Sequence, residues 1–291
     1  MKRLRTLSSP LSSTTTTTLK TAIRISKTRN ERSLPLTNGK NTKMFAIYKK
    51  ELRSYFINAI GYVYVGVFLA AAAVLCGIFT LFSKTYSTSS YFTALIFSFI
   101  VIIPLLTMKL FAEEKKLRTE QLLMTAPVSI WGMIMGKFLA AFTLFMGTVL
   151  ASCINFFPLY VYARIERGDS EYTKIHVGPV TAEVVTCIIG VILLGAAFIA
   201  IGLFVSSLTE NQLAAAVITI AIIFVMLILD VVNQYVDVYA IRFVINWVCV
   251  LSRFSNFTTG ILDFTSILYY LSITGVFLLL TTRVYDKRRW G

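Results

Sequence analysis

Long stretches of apolar residues, each with at most one charged residue, recur along the chain and are separated by short polar or charged segments. A helix needs roughly 20 such residues to cross a bilayer. Six stretches are long enough, and they lie at residues 60–82, 91–110, 134–162, 182–206, 212–230 and 265–283. The pattern predicts an all-α membrane protein with six transmembrane helices.

An amphipathic segment precedes the first stretch. From Phe45 onward, apolar residues recur at helical spacing and charged residues occupy the other side. A helix of this kind lies along a membrane surface and leads into a crossing. We predict an N-terminal interfacial amphipathic helix, and its candidate contact residues are Phe45, Tyr48, Lys49, Glu51, Leu52 and Arg53.

The segment from Val231 to Asp263 is apolar only in part, because charged residues interrupt it. Its longest apolar run, Tyr239 to Leu251, has the length of a re-entrant or interfacial element rather than a crossing. We expect short re-entrant or interfacial helices before the last span. The alternative is a seventh span, which would place the basic C-terminus outside the cell.

Residues 1–43 are rich in Ser, Thr, Lys and Arg and have no apolar periodicity. Such a segment cannot bury enough surface to fold, so we expect a disordered basic extension followed by a membrane domain over residues 44–291. Three interpretations of the extension are open. Translation could start at Met44, the segment could be an organellar transit peptide, or it could be a tail that contacts anionic lipid.

Composition agrees with a lipid environment, since 56% of the residues are hydrophobic, 14% are charged and the mean hydropathy is +0.74. The net charge of +14 does not indicate nucleic-acid binding, because the basic residues gather in the first 50 residues and beside the apolar stretches. Their distribution places the N-terminus, the second loop and the C-terminus in the cytoplasm. We expect a multi-pass protein of the cell membrane with lipid as a partner and no nucleic acid.

Catalytic and metal-binding patterns are not found in the sequence. The four cysteines form no closely spaced pair, and His176 is the only histidine. The run Gly136-Lys137-Phe138 lacks the spacing and the following Ser or Thr of a phosphate-binding loop, so the chain is expected to bind no ATP. Asp230 and Asp237, near the outer end of the fifth span, are either a cation or proton site or two solvated acids.

The loop between the second and third spans carries the most specific signal. It reads FAEEKKLRTEQLLMTAPVSIWGMIMGK from Phe111 to Lys137. This stretch resembles the first cytoplasmic loop of the type-2 ABC transporter permeases, which has a Glu-rich run, a Thr-x-Glu-Leu-Leu element, a Pro and a later Gly-Lys. Gln121 departs from that pattern. The start MFAIYKKELRSYFINAIGYVY and the ending TTRVYDKRRW resemble the gliding-motility-associated branch of that family.

The resemblance implies a permease subunit, not itself an enzyme, that works by alternating access and is driven by a separate ATPase subunit. ATP and Mg would bind to that partner, and a second permease copy or a homologous permease would complete the pathway. In such permeases the interfacial helix and this loop receive the ATPase. The resemblance therefore assigns docking or coupling to Glu113, Glu114, Lys115, Thr119, Glu120, Leu122, Leu123 and Pro127. The alternative is a solvated basic loop that only sets the topology.

A pair of glycines in the third span and the loop between the fourth and fifth spans each have a structural and a functional interpretation. Gly132 and Gly136 have the small-xxx-small spacing of a close helix contact, for instance between two permease copies. The polar loop from Ser206 to Gln212 is either a second ATPase contact or a helix cap that uses Glu210.

Other functions are less consistent with the sequence. A secondary transporter or channel that works without ATP would show paired charges at mid-span or interrupted helices in repeated halves. An intramembrane enzyme would need converging catalytic groups within the spans. Family likeness favours export, and apolar spans favour a lipid, a peptide or a drug-like amphiphile as cargo.

Overall fold

The computed structural model describes residues 36–83, 87–119, 129–169, 179–233, 235 and 239–290. The chain divides into two compact units, residues 1–43 and residues 44–291. Of the first unit, only residues 36–43 are described, and they form the beginning of a helix.

The described residues form helices and turns, without a strand among them. We number the α-helices in chain order: α1 Leu36–Ile57, α2 Ala59–Cys76, α3 Ser89–Thr107, α4 Ala112–Lys116, α5 Ile130–Ser152, α6 Phe157–Asp169, α7 Thr181–Leu208, α8 Gln212–Val232, α9 Tyr239–Val248, α10 Leu251–Thr258 and α11 Phe264–Trp290. A π-helical turn, Gly77–Phe82, extends α2, and a 3₁₀ turn, Cys153–Phe156, joins α5 to α6.

Six helices among the described residues are long and apolar enough to cross a membrane, which confirms the predicted fold class. The spans are Ala59–Phe82, Ser89–Lys116, Ile130–Ala163, Thr181–Leu208, Gln212–Val232 and Phe264–Arg289. Every predicted stretch lies inside one of them. The helices extend further because polar and charged residues at their ends continue the helix without adding to the hydropathy.

Helix α7 is the centre of the bundle and packs against α3, α5, α8, α10 and α11. In the most apolar part of α7, 72% of the residues are buried inside the protein, whereas only 22% are buried in the corresponding part of the first span. Glycines permit this close packing. A side chain at Gly195 would overlap the ring of Phe145, and one at Gly202 would overlap Thr107.

Three aromatic rings tie the first three spans together. The ring centroids of Phe68 and Phe99 lie 6.1 Å apart, and Phe145 meets them edge-on at 6.2 and 5.5 Å. All three side chains are fully buried. Rings in such offset and edge-to-face arrangements stabilise a core beyond the area that they bury.

Two short helices, α9 and α10, occupy the segment between the fifth and sixth spans, as the interrupted apolar pattern indicates. They contain 10 and 8 residues, too few to cross a bilayer, so they do not form a seventh span. Helix α10 packs on α7 at Gly190, where a Cβ atom would lie 2.9 Å from the rings of Phe254 and Phe257.

Candidate functional site

The part of α1 from Met44 onward packs along the beginning of α5. Ile47 and the backbone of Met44 lie against Gly136, where a Cβ atom would be 3.1 Å from Ile47 Cγ2 and 3.2 Å from the Met44 carbonyl oxygen. Gly132 is close to Met44 as well. The small-xxx-small pair of α5 therefore lies against α1 of the same chain rather than being open to a second permease copy.

Hydroxyl groups add polar contacts to this packing. Tyr48 donates a hydrogen bond to Thr143 Oγ1 of α5 at 3.3 Å, and the buried Tyr55 donates to the Leu106 carbonyl at 3.1 Å. Burial raises the pKa of Tyr55 well above its ordinary value, so the phenol remains a neutral donor. The other predicted contact residues of α1 divide by exposure: Leu52 and Glu51 are half-buried, and Phe45, Lys49 and Arg53 are exposed.

Helix α4 begins where α7 ends, and Ser206 of α7 holds its first turn. Ser206 Oγ accepts hydrogen bonds from the backbone amides of Phe111 at 3.1 Å and Ala112 at 3.2 Å. The buried Lys115 donates to the Ser207 carbonyl. Free amides at the start of a helix need such acceptors, so the end of the fourth span fixes the position of α4.

Lys137 of α5 is the centre of an ion cluster that joins three parts of the chain. Its side chain is 1% exposed, and its Nζ lies 3.0 Å from Glu51 Oε1 of α1 and 2.9 Å from Glu114 Oε1 of α4. The ammonium also donates to the Leu110 carbonyl at 2.8 Å and lies 5.1 Å from the centroid of the Phe111 ring. We call Lys137, Glu51 and Glu114 the Lys137 cluster.

The two adjacent acids of α4 are directed to different cations. Glu114 contacts Lys137 and, at 3.9 Å, Lys50 of α1, whereas Glu113 lies 3.8 Å from Lys109 one turn earlier. Glu114 is largely buried and Glu113 is partly exposed. Glu114 thus belongs to the Lys137 cluster, whereas the Glu113 side chain remains accessible to a partner at the surface of the protein.

A cleft of about 400 Å³ opens between α1 and α4, next to this cluster. Residues from α1, from the end of the second span and from α4 line it, together with Lys137. They are Lys50, Glu51, Ser54, Lys109, Leu110, Glu113, Glu114, Leu117 and Thr119. The cleft carries charges of both signs and is open to the surface, as a docking position for a protein partner would be.

Helix α4 is followed by an exposed turn, residues 117–119. Arg118 has a φ of 56°, in the left-handed region, and Thr119 donates its amide to the Glu114 carbonyl at 3.0 Å. Leu117, Arg118 and Thr119 are all exposed. The remaining predicted docking residues, Glu120, Leu122, Leu123 and Pro127, lie outside the described residues.

Comparison with protein families decides which family this arrangement belongs to. The family model described as "ABC-2 family transporter protein" matches residues 11–283. The chain belongs to the ABC-2 transporter family. No curated protein matches it. The resemblance read from the Phe111–Lys137 stretch is confirmed at the level of this family, whose members are membrane components and not ATPases.

In this ABC-2 transporter protein, residues outside the predicted loop complete the site. In the sequence, Lys137 is only the last residue of the stretch that carries the resemblance, and Ser206 and Ser207 are only part of a polar loop. One signal was present in the sequence, because Lys137 is the only charged residue in the predicted span 134–162. A lone cation in such a span requires an anionic partner.

The Ser206–Gln212 loop of the ABC-2 protein is capped differently from the prediction. Asn211 is the N-cap of α8, and its side chain accepts a hydrogen bond from the Leu213 amide at 3.0 Å. Glu210 is exposed and does not occupy the cap position. The amide side chain at the N-cap performs the function that we had considered for the acid.

Asp230 is neither a solvated acid nor part of a cation site. Its Oδ2 accepts hydrogen bonds from the backbone amides of Val250 at 2.7 Å and Leu251 at 2.8 Å, and its Oδ1 accepts one from Ser252 at 3.0 Å. The carboxylate therefore caps α10 from the end of α8 and fixes the short helices to the bundle. Asp237 and His176 lie outside the described residues.

Proposed function

We propose that this ABC-2 protein is the permease subunit of an exporter and that a separate ATPase docks on the surface formed by α1 and α4. The observation that carries the proposal is the Lys137 cluster. It joins the docking loop and α1 to the third span through one buried cation. A loop that only set the topology would need basic residues, but it would not need two partly buried carboxylates directed at a buried lysine within the span.

The contacts of α4 give a route by which motion of an ATPase reaches the spans. Force on α4 passes to α5 through Glu114 and Lys137, and to α7 through Lys115 and Ser206. Because α7 packs against five other helices, a shift of its end moves the bundle. Two such chains, or this chain and a homologous permease, would enclose the pathway and alternate between its two openings.

The partner supplies the nucleotide chemistry in this proposal. ATP and Mg bind to the ATPase subunit, and the permease chain binds no cofactor of its own. The accessible groups that would contact the partner are the partly exposed Glu113 and the exposed Leu117 and Thr119. The loop residues Glu120, Leu122 and Leu123, which follow in the sequence, belong to the same proposed contact. The basic residues near α1, α4 and the end of α11 support a cytoplasmic position for this side and for both termini.

Export of an amphiphilic cargo fits the walls of the bundle best. The charged residues of the described spans lie near span ends, and the middle of each described span is uncharged. A sugar or an ion would find few partners there, whereas a lipid, a peptide or a drug-like molecule would not need them. The likeness of both chain ends to the gliding-motility-associated branch is part of the same proposal.

The same distribution of charge disfavours an ATP-independent secondary transporter or channel, which is the competing function. Such proteins hold their ions on paired charges or broken helices near the middle of the membrane. Among the described residues, the one buried cation with two carboxylate partners lies on the α4 side of the bundle and belongs to the docking surface.

Site-specific photo-crosslinking in cells tests where the partner docks. A photoreactive amino acid is introduced at Thr119, which is exposed beside the cleft, and in a control strain at Ser87, which is exposed at the opposite end of the second span. The proposal predicts a crosslink from position 119 to a protein with ATPase motifs and none from position 87. A crosslink from position 87 alone, or none from either, contradicts docking at α4.

A further inference from the structure

The exposed face of α11 changes from apolar to basic within one helical turn. Val276, Leu279 and Leu280 are 52%, 55% and 43% exposed, and the next exposed residues on that face are Arg283 and Lys287. Val276, Leu280, Arg283 and Lys287 follow one another at three or four residues, which keeps them on one side of the helix, and Leu279 lies beside them. We call these five residues the α11 stripe.

The opposite face of α11 fixes the level of the stripe within the bundle. Leu278, Thr281 and Tyr285 are buried, and the Tyr285 ring stacks on Phe111 with centroids 4.8 Å apart. Phe111 directly precedes α4 and contacts Lys137. Arg283 and Lys287 therefore lie at the same end of the bundle as the α1 and α4 surface, where the apolar spans end.

The chemistry of the stripe matches one class of ligand. Arg283 and Lys287 are one turn apart, about 6 Å along the axis, so both can contact one phosphate group. Acyl chains would lie on the exposed Val276, Leu279 and Leu280. The acid of this helix end, Asp286, is half-buried and one position off the stripe.

We propose that the α11 stripe binds an anionic phospholipid, with the headgroup phosphate between Arg283 and Lys287 and the acyl chains along the apolar residues. The charge complementarity with a phosphate and the exposed apolar residues that adjoin the two cations on a membrane-spanning helix both favour a lipid over a protein. This inference goes beyond the proposed function, since it holds whether or not an ATPase docks at α4.

Native mass spectrometry of the full-length chain in mild detergent tests the site. The probes are phosphatidylglycerol and phosphatidylcholine with the same acyl chains. The wild-type chain should retain phosphatidylglycerol preferentially. Each cation near an anionic lipid surface contributes about fivefold in affinity, so the Arg283→Gln/Lys287→Gln variant should bind the first phosphatidylglycerol about 25-fold more weakly.

The matched control is Arg288→Gln/Arg289→Gln, which removes two exposed arginines from the same end of α11 without changing the stripe. It should leave the first bound phosphatidylglycerol nearly unchanged. If both variants lose it equally, the attraction is general and the site does not exist. The charge-preserving Arg283→Lys/Lys287→Arg exchange should keep the lipid, so that a folding defect of the neutral variant is recognised.

Two further outcomes would overturn the proposal. The first is a wild-type chain without preference for phosphatidylglycerol over phosphatidylcholine, or one from which inorganic phosphate displaces the lipid completely. The second is a neutral variant that keeps its lipid but loses a co-purifying ATPase, which would make the stripe a protein contact.

Discussion

The ammonium group of Lys137 is almost fully removed from solvent inside a helix that spans the membrane. Burial of a charge is unfavourable unless partners balance it. Two carboxylates, a carbonyl and an aromatic ring surround this ammonium, and the nearby Lys50 offsets the second carboxylate. The cluster therefore depends on Lys137 most, because its removal takes the buried cation from both carboxylates, and Glu114 keeps the exposed Lys50 at 3.9 Å.

Lys137→Met should lower the thermal stability of the purified chain markedly, since breaking a buried pair by removing one partner costs about 3–5 kcal/mol. Lys50→Met removes an exposed lysine 3.9 Å from the same Glu114, and an exposed pair contributes at most about 1 kcal/mol. The melting temperatures in detergent compare the two variants. Equal shifts for both would show that Lys137 is not the centre of the cluster.

At the scale of single residues, the sequence predicts the docking acids but not their different roles. Glu113 and Glu114 are indistinguishable as sequence neighbours, and their partners lie in separate helices. Glu51 and Lys137 are 86 positions apart, so their pairing follows only from the packing of α1 on α5. The cap at Asp230 was missed for the same reason, because its three amide partners lie 20 to 22 positions further along the chain.

Individual helices were the most predictable feature of the protein. A run of about 20 apolar residues has one favourable structure in lipid, because every backbone group must be paired within the helix. The six spans follow directly from that requirement. The contacts between helices are harder to predict than the helices themselves, as the pair Gly132 and Gly136 of α5 shows. Its spacing indicates a close helix contact, but it does not identify which helix is the partner.

Replacement of Gly136 by leucine should separate α1 from α5. Even a Cβ atom there lies 3.1 Å from Ile47 and 3.2 Å from the Met44 backbone, and the backbone cannot turn away as a side chain can. Gly147→Leu is the matched control in the same helix, because a Cβ atom at Gly147 meets no atom within 4 Å.

The rate of disulfide formation between cysteines introduced at Met44 and Gly132 reports the α1 and α5 contact. A Cβ atom at Gly132 lies 3.8 Å from the Met44 Cβ atom, which is the separation that a disulfide requires. The rate should fall in the Gly136→Leu background and persist in the Gly147→Leu background. An unchanged rate in both would mean that α1 does not pack at Gly136.

The beginning of α11 should make stability depend on pH in the acidic range. Hydrogen bonds from the Thr265 amide, at 3.0 Å, and from Ser266 lower the pKa of the exposed Asp263 carboxyl below its ordinary value. A depressed pKa in the folded state stabilises the fold above the unfolded pKa of about 3.9, and this contribution is lost as the pH falls through the folded value.

Melting temperatures of the wild type and of Asp263→Asn, measured from pH 7 down to pH 3, test this dependence. The wild type should be the more stable protein at neutral pH. Its advantage should shrink as the pH falls below about 4, because the carboxyl group of the unfolded chain takes up a proton at a higher pH than that of the folded chain. A difference that stays constant over the whole range would contradict a role for the Asp263 charge.

At the scale of the whole molecule, the central helix α7 connects the end of the bundle that holds α4 with the end at which α10 packs. Ser206 and Ser207 hold α4 at one end, and Gly190 receives α10 near the other. A displacement of α4 by a partner thus reaches the short helices between the fifth and sixth spans through one continuous helix. The apolar and small residues of α7 indicate a buried helix, but which partners surround it follows only from the assembled bundle.

Dependence on a partner ATPase is the central claim, and affinity purification of the full chain in mild detergent tests it most directly. The bound proteins are identified by mass spectrometry, and the purified material is assayed for ATP hydrolysis. We expect a co-purifying protein with ATPase motifs and ATPase activity in the eluate. The Glu113→Lys variant should lose both. The control variant Glu166→Lys, which alters α6 at the opposite end of the third span, should keep both. A chain that purifies alone and transports in liposomes without ATP would contradict it.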